Sequence, residues 1–245
     1  MRHLLAFIFL LSTLAAQKLT LGAGPYIQTQ PYKGVDEIVV PSPVIFYEES
    51  IFYVRWTRFG AYFAGSKGDE FSWGASITAQ PRTFGYKPGT SAELSGMQER
   101  KSSFEGGVAL SLQYGTTYVE FTALTDIIAR HENFLYKTTL GDQYKIADLT
   151  LYPSLLLTYQ SQPFVEYYYG IKAEEAAPSR AAFTPKEGIS YGAECYISYP
   201  ITKSVSAFFN AKFETLPTDA ANSFVTDEKL IFSGLLSLLY TLEWE

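Results

Sequence analysis

Residues 104–114 read FEGGVALSLQY. Phe104, Val108, Leu110, Leu112 and Tyr114, with Gly106 among them, fall on one parity; Glu105, Gly107, Ala109, Ser111 and Gln113 fall on the other. Side chains of a strand point alternately to opposite faces, so this stretch is a strand with one apolar face and one small, polar face. The pattern recurs along the chain. Its apolar parity runs through Phe71, Trp73, Ala75 and Ile77, through Leu149, Leu151, Leu155 and Leu157, and through Ile189, Tyr191, Ala193, Cys195 and Ile197. It returns in Val205, Ala207, Phe209, Ala211 and Phe213 and in Leu230, Phe232, Gly234, Leu236, Leu238, Tyr240, Leu242 and Trp244. Such runs exceed the about 5–6 residues of an ordinary soluble strand and suit a tilted membrane strand of about 9–11.

The alternation predicts about twelve strands, near 18–28, 42–48, 51–57, 59–64, 71–81, 103–114, 117–128, 132–139, 147–160, 188–199, 203–214 and 229–244. Both termini on one side demand an even number, with ten or fourteen as the alternatives. Long connections near 30–41, 83–102, 161–187 and 215–228 alternate with short ones near 49–50, 65–70, 115–116, 140–145 and 200–202. That asymmetry belongs to outer-membrane barrels, whose long loops face outward and whose short turns face the periplasm. The expected fold class is therefore an all-β, transmembrane, antiparallel up-and-down barrel. The segment 164–171, FVEYYYGI, is expected to form an extracellular hairpin or to cover the mouth.

Residues 1–16, MRHLLAFIFLLSTLAA, read as an export signal: Arg2, then an apolar run from Leu4 to Leu11, then Ala15 and Ala16. No Cys follows, so no lipoprotein anchor is expected, and residues 17–245 form the barrel domain. Past residue 17 no second apolar stretch has the about 20 residues of a spanning helix. Of the 245 residues 47% are hydrophobic, 16% aromatic and 18% charged, which excludes a disordered chain. A net charge of -6 excludes a strongly basic nucleic-acid binder. One cysteine excludes a disulfide framework.

Several segments, in order, resemble the MipA/OmpV family of MltA-interacting outer-membrane proteins. Near the start stand a glycine-rich strand, then Pro31, Tyr32 and Gly34, then Pro41 and Pro43 with Tyr47. In the middle, LSGMQERKSSFEGGVAL carries Leu94, Gly96, Met97 and Arg100; later, VEYYYGIKAEEA carries Tyr168, Tyr169 and Gly170. The end, NSFVTDEKLIFSGLLSLLYTLEW, resembles the family's last strand, with Asn222-Ser223-Phe224 in place of Asp-Ser-Pro and with Glu245 after Trp244. The resemblance implies a barrel in the outer membrane of a Gram-negative bacterium, in contact with lipid and lipopolysaccharide. It also implies a scaffold joining a lytic transglycosylase to a peptidoglycan synthase; other members are discussed as adhesins or antigens.

Chemistry is sparse. His131, beside Glu132 and Asn133, is the only histidine past the leader and is expected in a solvated loop, with Asp126 near enough in sequence to orient it. No serine is singled out as a nucleophile, and no metal or cofactor set is present. Cys195 falls on the apolar parity as a small lipid-facing hydrophobe. A charge at the bilayer midplane costs about 2–4 kcal/mol, so strand charges should face the lumen. Those expected there are Arg55, Arg82, Glu105, Glu120, Asp126, Asp148, Glu194, Lys212, Glu214 and Glu243. Acids outnumber bases in that set, which suggests a narrow cation-favouring channel. Inward Tyr53, Tyr62, Tyr118, Tyr152, Tyr196 and Phe208 suggest instead a filled interior. The loop Thr83–Ser103 is expected to fold inward as a constriction or to extend as a contact surface. Tyrosines of the 166–170 stretch would serve as a binding surface or as part of the interfacial girdle.

Overall fold

A computed structural model describes residues 17–48, 51–131 and 133–244. The export segment expected at 1–16 lies outside the described residues, as do Glu132 and Glu245. Strand segments are β1 (Gln17–Gln28), β2 (Ile38–Glu48), β3 (Phe52–Arg55), β4 (Arg58–Lys67), β5 (Phe71–Arg82), β6 (Ser103–Tyr114) and β7 (Thr117–Asp126). They continue as β8 (Phe134–Gly141), β9 (Tyr144–Ile146), β10 (Leu149–Gln160), β11 (Gly188–Pro200), β12 (Val205–Thr215) and β13 (Leu230–Trp244). Helices α1 (Gln162–Tyr169) and α2 (Thr218–Ala221) lie in two of the long loops.

Every neighbour pair is antiparallel, β1 pairs with both β2 and β13, and β10 pairs with β11. The sheet is closed. β8 and β9 both lie against β10, β8 along residues 154–160 and β9 along 149–151, so they form one interrupted stave and the barrel has twelve. The expected strand near 132–139 thus reaches further down than alternation showed. Expected strands 51–57 and 59–64 are real but form a short hairpin, with a two-residue turn at Trp56-Thr57.

The two faces separate by parity. Outward Val108, Leu110, Phe121, Leu155, Phe209, Leu236 and Leu238 are exposed, while inward Ser76, Thr78, Thr122, Ser154, Thr158, Ser190, Asn210 and Ser237 are buried. An exposed apolar belt around a hydroxyl-lined interior inverts the soluble pattern and is what hydrocarbon stabilises. Toward the ends of the strands the belt carries Trp73, Tyr114, Tyr199 and Trp244 at the short turns and Tyr136, Tyr159 and Tyr191 toward the long loops. Rings at these positions match the two interfacial girdles.

The long loops do not stand free. Segments 29–37, 83–102, 161–187 and 216–229 fold across their end of the barrel around Tyr32, Tyr86, Leu94, Met97, Phe164, Val165, Tyr168, Tyr169, Ile171, Ala220 and Val225, all buried. This cap is a second core, stacked on Leu124 and Leu135 of the barrel wall.

Leu236 sits mid-strand on the outer face. Replacing it with Arg places a charge in hydrocarbon, and the expected loss is about 2–4 kcal/mol of unfolding free energy. Urea titration in lipid vesicles, read by tryptophan emission, measures it; an unchanged midpoint would mean that this face does not meet lipid.

Candidate functional site

Below the cap lies a cavity of about 2420 Å³. Its lining runs from Lys18, Lys67 and Asp69 at the short-turn rim to Arg82, Thr83 and Phe84 under the cap. The interior is therefore a cup, open at the end that carries both termini and closed at the long-loop end. This corrects the expectation of a filled interior. The inward tyrosines do not reach across: the rings of Tyr53, Tyr62 and Tyr118 lie flat where a Cβ on Gly60, Gly74 or Gly141 of the neighbouring strand would stand. The missing side chain gives the ring room against the wall, and the middle stays open.

The wall charges lie in hydrogen-bonded groups around the barrel. Arg55 Nη2 donates to Glu48 Oε1 at 2.9 Å and to the Tyr62 hydroxyl at 2.7 Å. Arg58 makes a two-pronged contact with Glu120, Nη2 donating to Oε2 at 2.7 Å, and the Ser111 hydroxyl donates to the same carboxylate at 3.0 Å. Under the cap Arg82 pairs with Glu105, to which Gln80 also donates at 3.0 Å, and the Arg82 guanidinium lies 4.8 Å from the Phe164 ring centroid. On the far wall Lys212 pairs with Glu214 at 2.7 Å, while Glu194 accepts from Asn210 at 3.0 Å. Glu243 reaches the rim, paired with Lys18 at 2.7 Å.

Two expected lumen charges lie elsewhere. Asp148 occupies the exposed turn between β9 and β10, where water solvates it and no lipid cost orients it. Asp126 ends β7 and accepts the backbone N–H groups of Ile128, Arg130 and His131, which fold the next loop around it. Arg58 and Lys137 are lumen bases that parity reading missed, Arg58 because it borders a turn and Lys137 because polar side chains fall on both parities of 136–139. With them the cavity lining holds seven bases, Lys18, Arg55, Arg58, Lys67, Arg82, Lys137 and Lys212, against five acids, and Glu105 and Glu243, paired with Arg82 and Lys18, bring the acids to seven. The acid excess that suggested cation preference is absent.

His131 is not solvated. It is 7% exposed, its ring centroid lies 4.9 Å from Phe164 and 5.7 Å from Tyr168, and neither ring nitrogen has a hydrogen-bond partner. The Asp126 carboxylate serves backbone N–H groups instead of the imidazole, so no acid–base pair is assembled. Among the described residues no group of carboxylates, histidines and cysteine could hold a metal ion. Cys195 is half-buried on the outward parity.

The residues that carry the family resemblance converge on the cap. Tyr32 packs edge-on to Tyr86 at 4.6 Å and stacks on Tyr169 at 5.9 Å. Gly34, at φ +63°, leaves no room for a Cβ beside Ser91. Arg100 pairs with Glu175 at 2.8 Å, both almost wholly buried, and donates to the carbonyl of Gly170 at 3.4 Å. Gly96, at φ +79°, adjoins Arg180, which donates to the carbonyls of Glu93, Ser95 and Glu175. Pro31 adjoins Tyr32 and its carbonyl accepts from Asp227 N–H at 2.8 Å. The EYYYG stretch is helical, with Tyr168 and Tyr169 inside the cap, so it is neither an exposed binding surface nor a girdle. Loop 83–102 likewise roofs the mouth instead of extending from it. Pro41 and Pro43 stand apart, on β2.

Burial raises the Glu175 carboxyl, but hydrogen bonds from Arg100 and from the backbone of Lys172 and Gln98 overturn this and hold it below its ordinary value of 4.5. Burial lowers His131 below 6.5, against the opposing charge of Asp126. Both folded-state values are depressed, so both contributions are present at neutral pH and fade on acidification. The cap should loosen in two steps, one as pH falls below 6.5 and a second below 4.5. Hydrogen exchange of 83–102 and 161–187 reads both, and His131→Phe should remove the first step alone. Glu175→Ala leaves the Arg100 guanidinium buried without its partner and should cost about 3–5 kcal/mol in cap opening by the same measurement, with the barrel strands unaffected.

A family model described as "MltA-interacting protein MipA" matches residues 21–242. The MltA-interacting protein of Escherichia coli K12 is 29% identical over 228 residues, covering 91% of this chain and 89% of that one. Outer membrane protein OmpV of Vibrio cholerae is 28% identical over 168 residues, 67% of this chain and 63% of that one. Among solved structures, a monoaromatic hydrocarbon channel, CymD, aligns over 94% of this chain and 90% of that one, with 11% identity and a TM-score of 0.42.

Proposed function

The chain belongs to the MltA-interacting protein MipA family and is an outer-membrane β-barrel of the MipA/OmpV type; from that premise we propose that it is a non-enzymatic docking protein for a periplasmic murein hydrolase of the lytic-transglycosylase class. One observation carries this reading: the barrel is closed by a packed core at its long-loop end and open as a wide cup at its short-turn end. Long loops of outer-membrane barrels face outward, so the cup faces the periplasm. Short turns by themselves offer little of the about 800 Å² that each partner buries in a stable complex. The cup supplies the missing area, with a charged rim of Lys18, Lys67, Asp69 and Glu243. A peptidoglycan synthase would then be held through the hydrolase, at the same face of the membrane.

The same geometry argues against a solute channel, because the cap core lies across the path. The intact barrel in planar bilayers should give no single-channel steps; steps of constant size would revive the channel. For docking, a photo-crosslinking residue at Ser206, which lines the cup, should capture a purified lytic transglycosylase from solution, and one at Lys87 in the cap should not. Equal capture from both positions, or none from Ser206, would overturn the proposal.

A further inference from the structure

Over residues 38–44 the ladder of β2 is paired on one edge only. Its residues 38–47 all pair with β1, but on the other edge β3 reaches only Phe46, Tyr47 and Glu48. The β3–β4 hairpin turns back at Trp56-Thr57, Trp56 N–H donating to the carbonyl of Ile45 at 2.8 Å, and β4 begins opposite Ala79 of β5. Above that turn, among the described residues, no strand lies between the edge 38–44 of β2 and the end of β5. The gap has a roof: the Thr83 hydroxyl donates to Gln28 Oε1 at 2.8 Å and the Ser91 hydroxyl to the carbonyl of Lys33 at 2.7 Å. It is thus a window, with β2 and Gln80–Arg82 as jambs and Trp56 as sill.

The unpaired edge cannot take a strand. N–H and C=O of one residue point to the same side of an antiparallel strand, and those of the next residue to the other. Since the Ile45 carbonyl points to the gap, so do the peptide groups of 43, 41 and 39. Two of those positions are Pro41 and Pro43, which have no N–H to offer. The Pro43 carbonyl is served from within, by the Ser42 hydroxyl at 3.2 Å, which itself accepts the Trp56 indole N–H at 3.1 Å. Open sheet edges are tolerated at membrane depth only where they line a watered cavity. The cup reaches this place: its lining includes outward-pointing Pro41, Pro43 and Pro81 together with lumen-facing Glu120.

We propose that this window is a lateral portal through which a single-chain fatty acid passes between the outer leaflet and the cup. The jambs and sill present Val40, Pro41, Pro43, Pro81 and Trp56 to an alkyl chain. The carboxylate meets Lys137: on β8, it stands across the barrel from β2 in sheet order, and its ammonium, within the field of Glu194 and Glu214, is in no salt bridge among the described residues. The cap blocks the external route, so the portal joins membrane to periplasm.

Trp56 reports on it. In the full-length protein carrying Trp73→Phe and Trp244→Phe, Trp56 is the remaining tryptophan. In nanodiscs, 12-bromododecanoate should quench its emission saturably, and brominated phosphatidylcholine, with two chains, should not. Val40→Trp would add an emitter, so the gap is filled with Val40→Phe, which should raise the half-quenching concentration about tenfold. Lys137→Gln should weaken quenching by the acid and leave that by bromododecanol unchanged. Heat-modifiable migration confirms that each variant is folded. Equal, non-saturating quenching by phosphatidylcholine would mean that Trp56 merely faces lipid and would overturn the portal; so would no quenching at all. A dimer in detergent that is lost on Val39→Lys would give the edge to a second copy, and would overturn it as well.

Discussion

Hydrocarbon offers no hydrogen bonds, so a strand can cross it only if both of its edges are paired within the protein. Closure of the twelve staves, through β1 on β13 and β10 on β11, meets that demand around nearly the whole circumference. From it follow the exposed apolar belt, the inward charges and the alternation of every stave. It also makes the exception informative. At the upper half of β2 the pairing lapses, and the sequence there removes donors with Pro41 and Pro43, so the local backbone has fewer groups left to satisfy. Trp56 holds the sill at φ +56°, a conformation that a bulky side chain rarely adopts. Its indole is fixed by Ser42 and by edge contact with Tyr26 at 5.6 Å. Local strain of this kind persists only where neighbouring contacts impose it.

The second constraint is how the mouth closes. A barrel of this girth can fill itself with side chains or cover itself with loops. Tyrosines lying over glycines rule out the first by keeping bulk on the wall. Loops therefore bring their own core, and that apolar core encloses polar atoms: the hydroxyls of Tyr32 and Tyr86 and both amide atoms of Gln30 are buried without a partner in the protein. Each such group costs about 1–3 kcal/mol relative to a satisfied one. The cap is thus held by the Arg100–Glu175 and Arg180 networks against an internal penalty, whereas the barrel beneath is laddered around nearly its whole circumference.

Much of this was legible beforehand. Period-two alternation located the long staves to within a few residues, because lipid on one face and hydroxyls on the other act on every turn of the chain. Loop lengths separated the two ends of the barrel, the long connections gathering at one of them. What alternation could not show was anything shorter than its own period test: β3 with four residues and β9 with three carry too few positions to display parity. The cap was opaque for a different reason. Its helix α1 is eight residues long and aromatic on several sides, so FVEYYYGI satisfies strand and helix patterns alike. Glu175 and Arg180 looked like loop charges, since only the fold brings them beside Gly96 and Arg100. His131 looked solvated because nothing local reveals that α1 packs over it.

The family resemblance gains physical content from where its residues fall. Tyr32, Gly34, Gly96, Arg100, Tyr169 and Gly170 build the cap, and Pro41 and Pro43 shape the unpaired edge, while the wall charges Arg55, Glu120, Glu194 and Lys212 belong to none of those segments. A protein whose task was selective permeation would be expected to specify its lumen most tightly. Here the motif residues specify instead a lid on one end and an interruption in the wall, and they leave the other end open. In the proposed orientation such a vessel would open to the periplasm and, through the proposed portal, to the bilayer. Docking of a periplasmic partner at the rim and passage of a lipid-like chain through the wall are therefore compatible uses of one cavity, because they enter it from different sides.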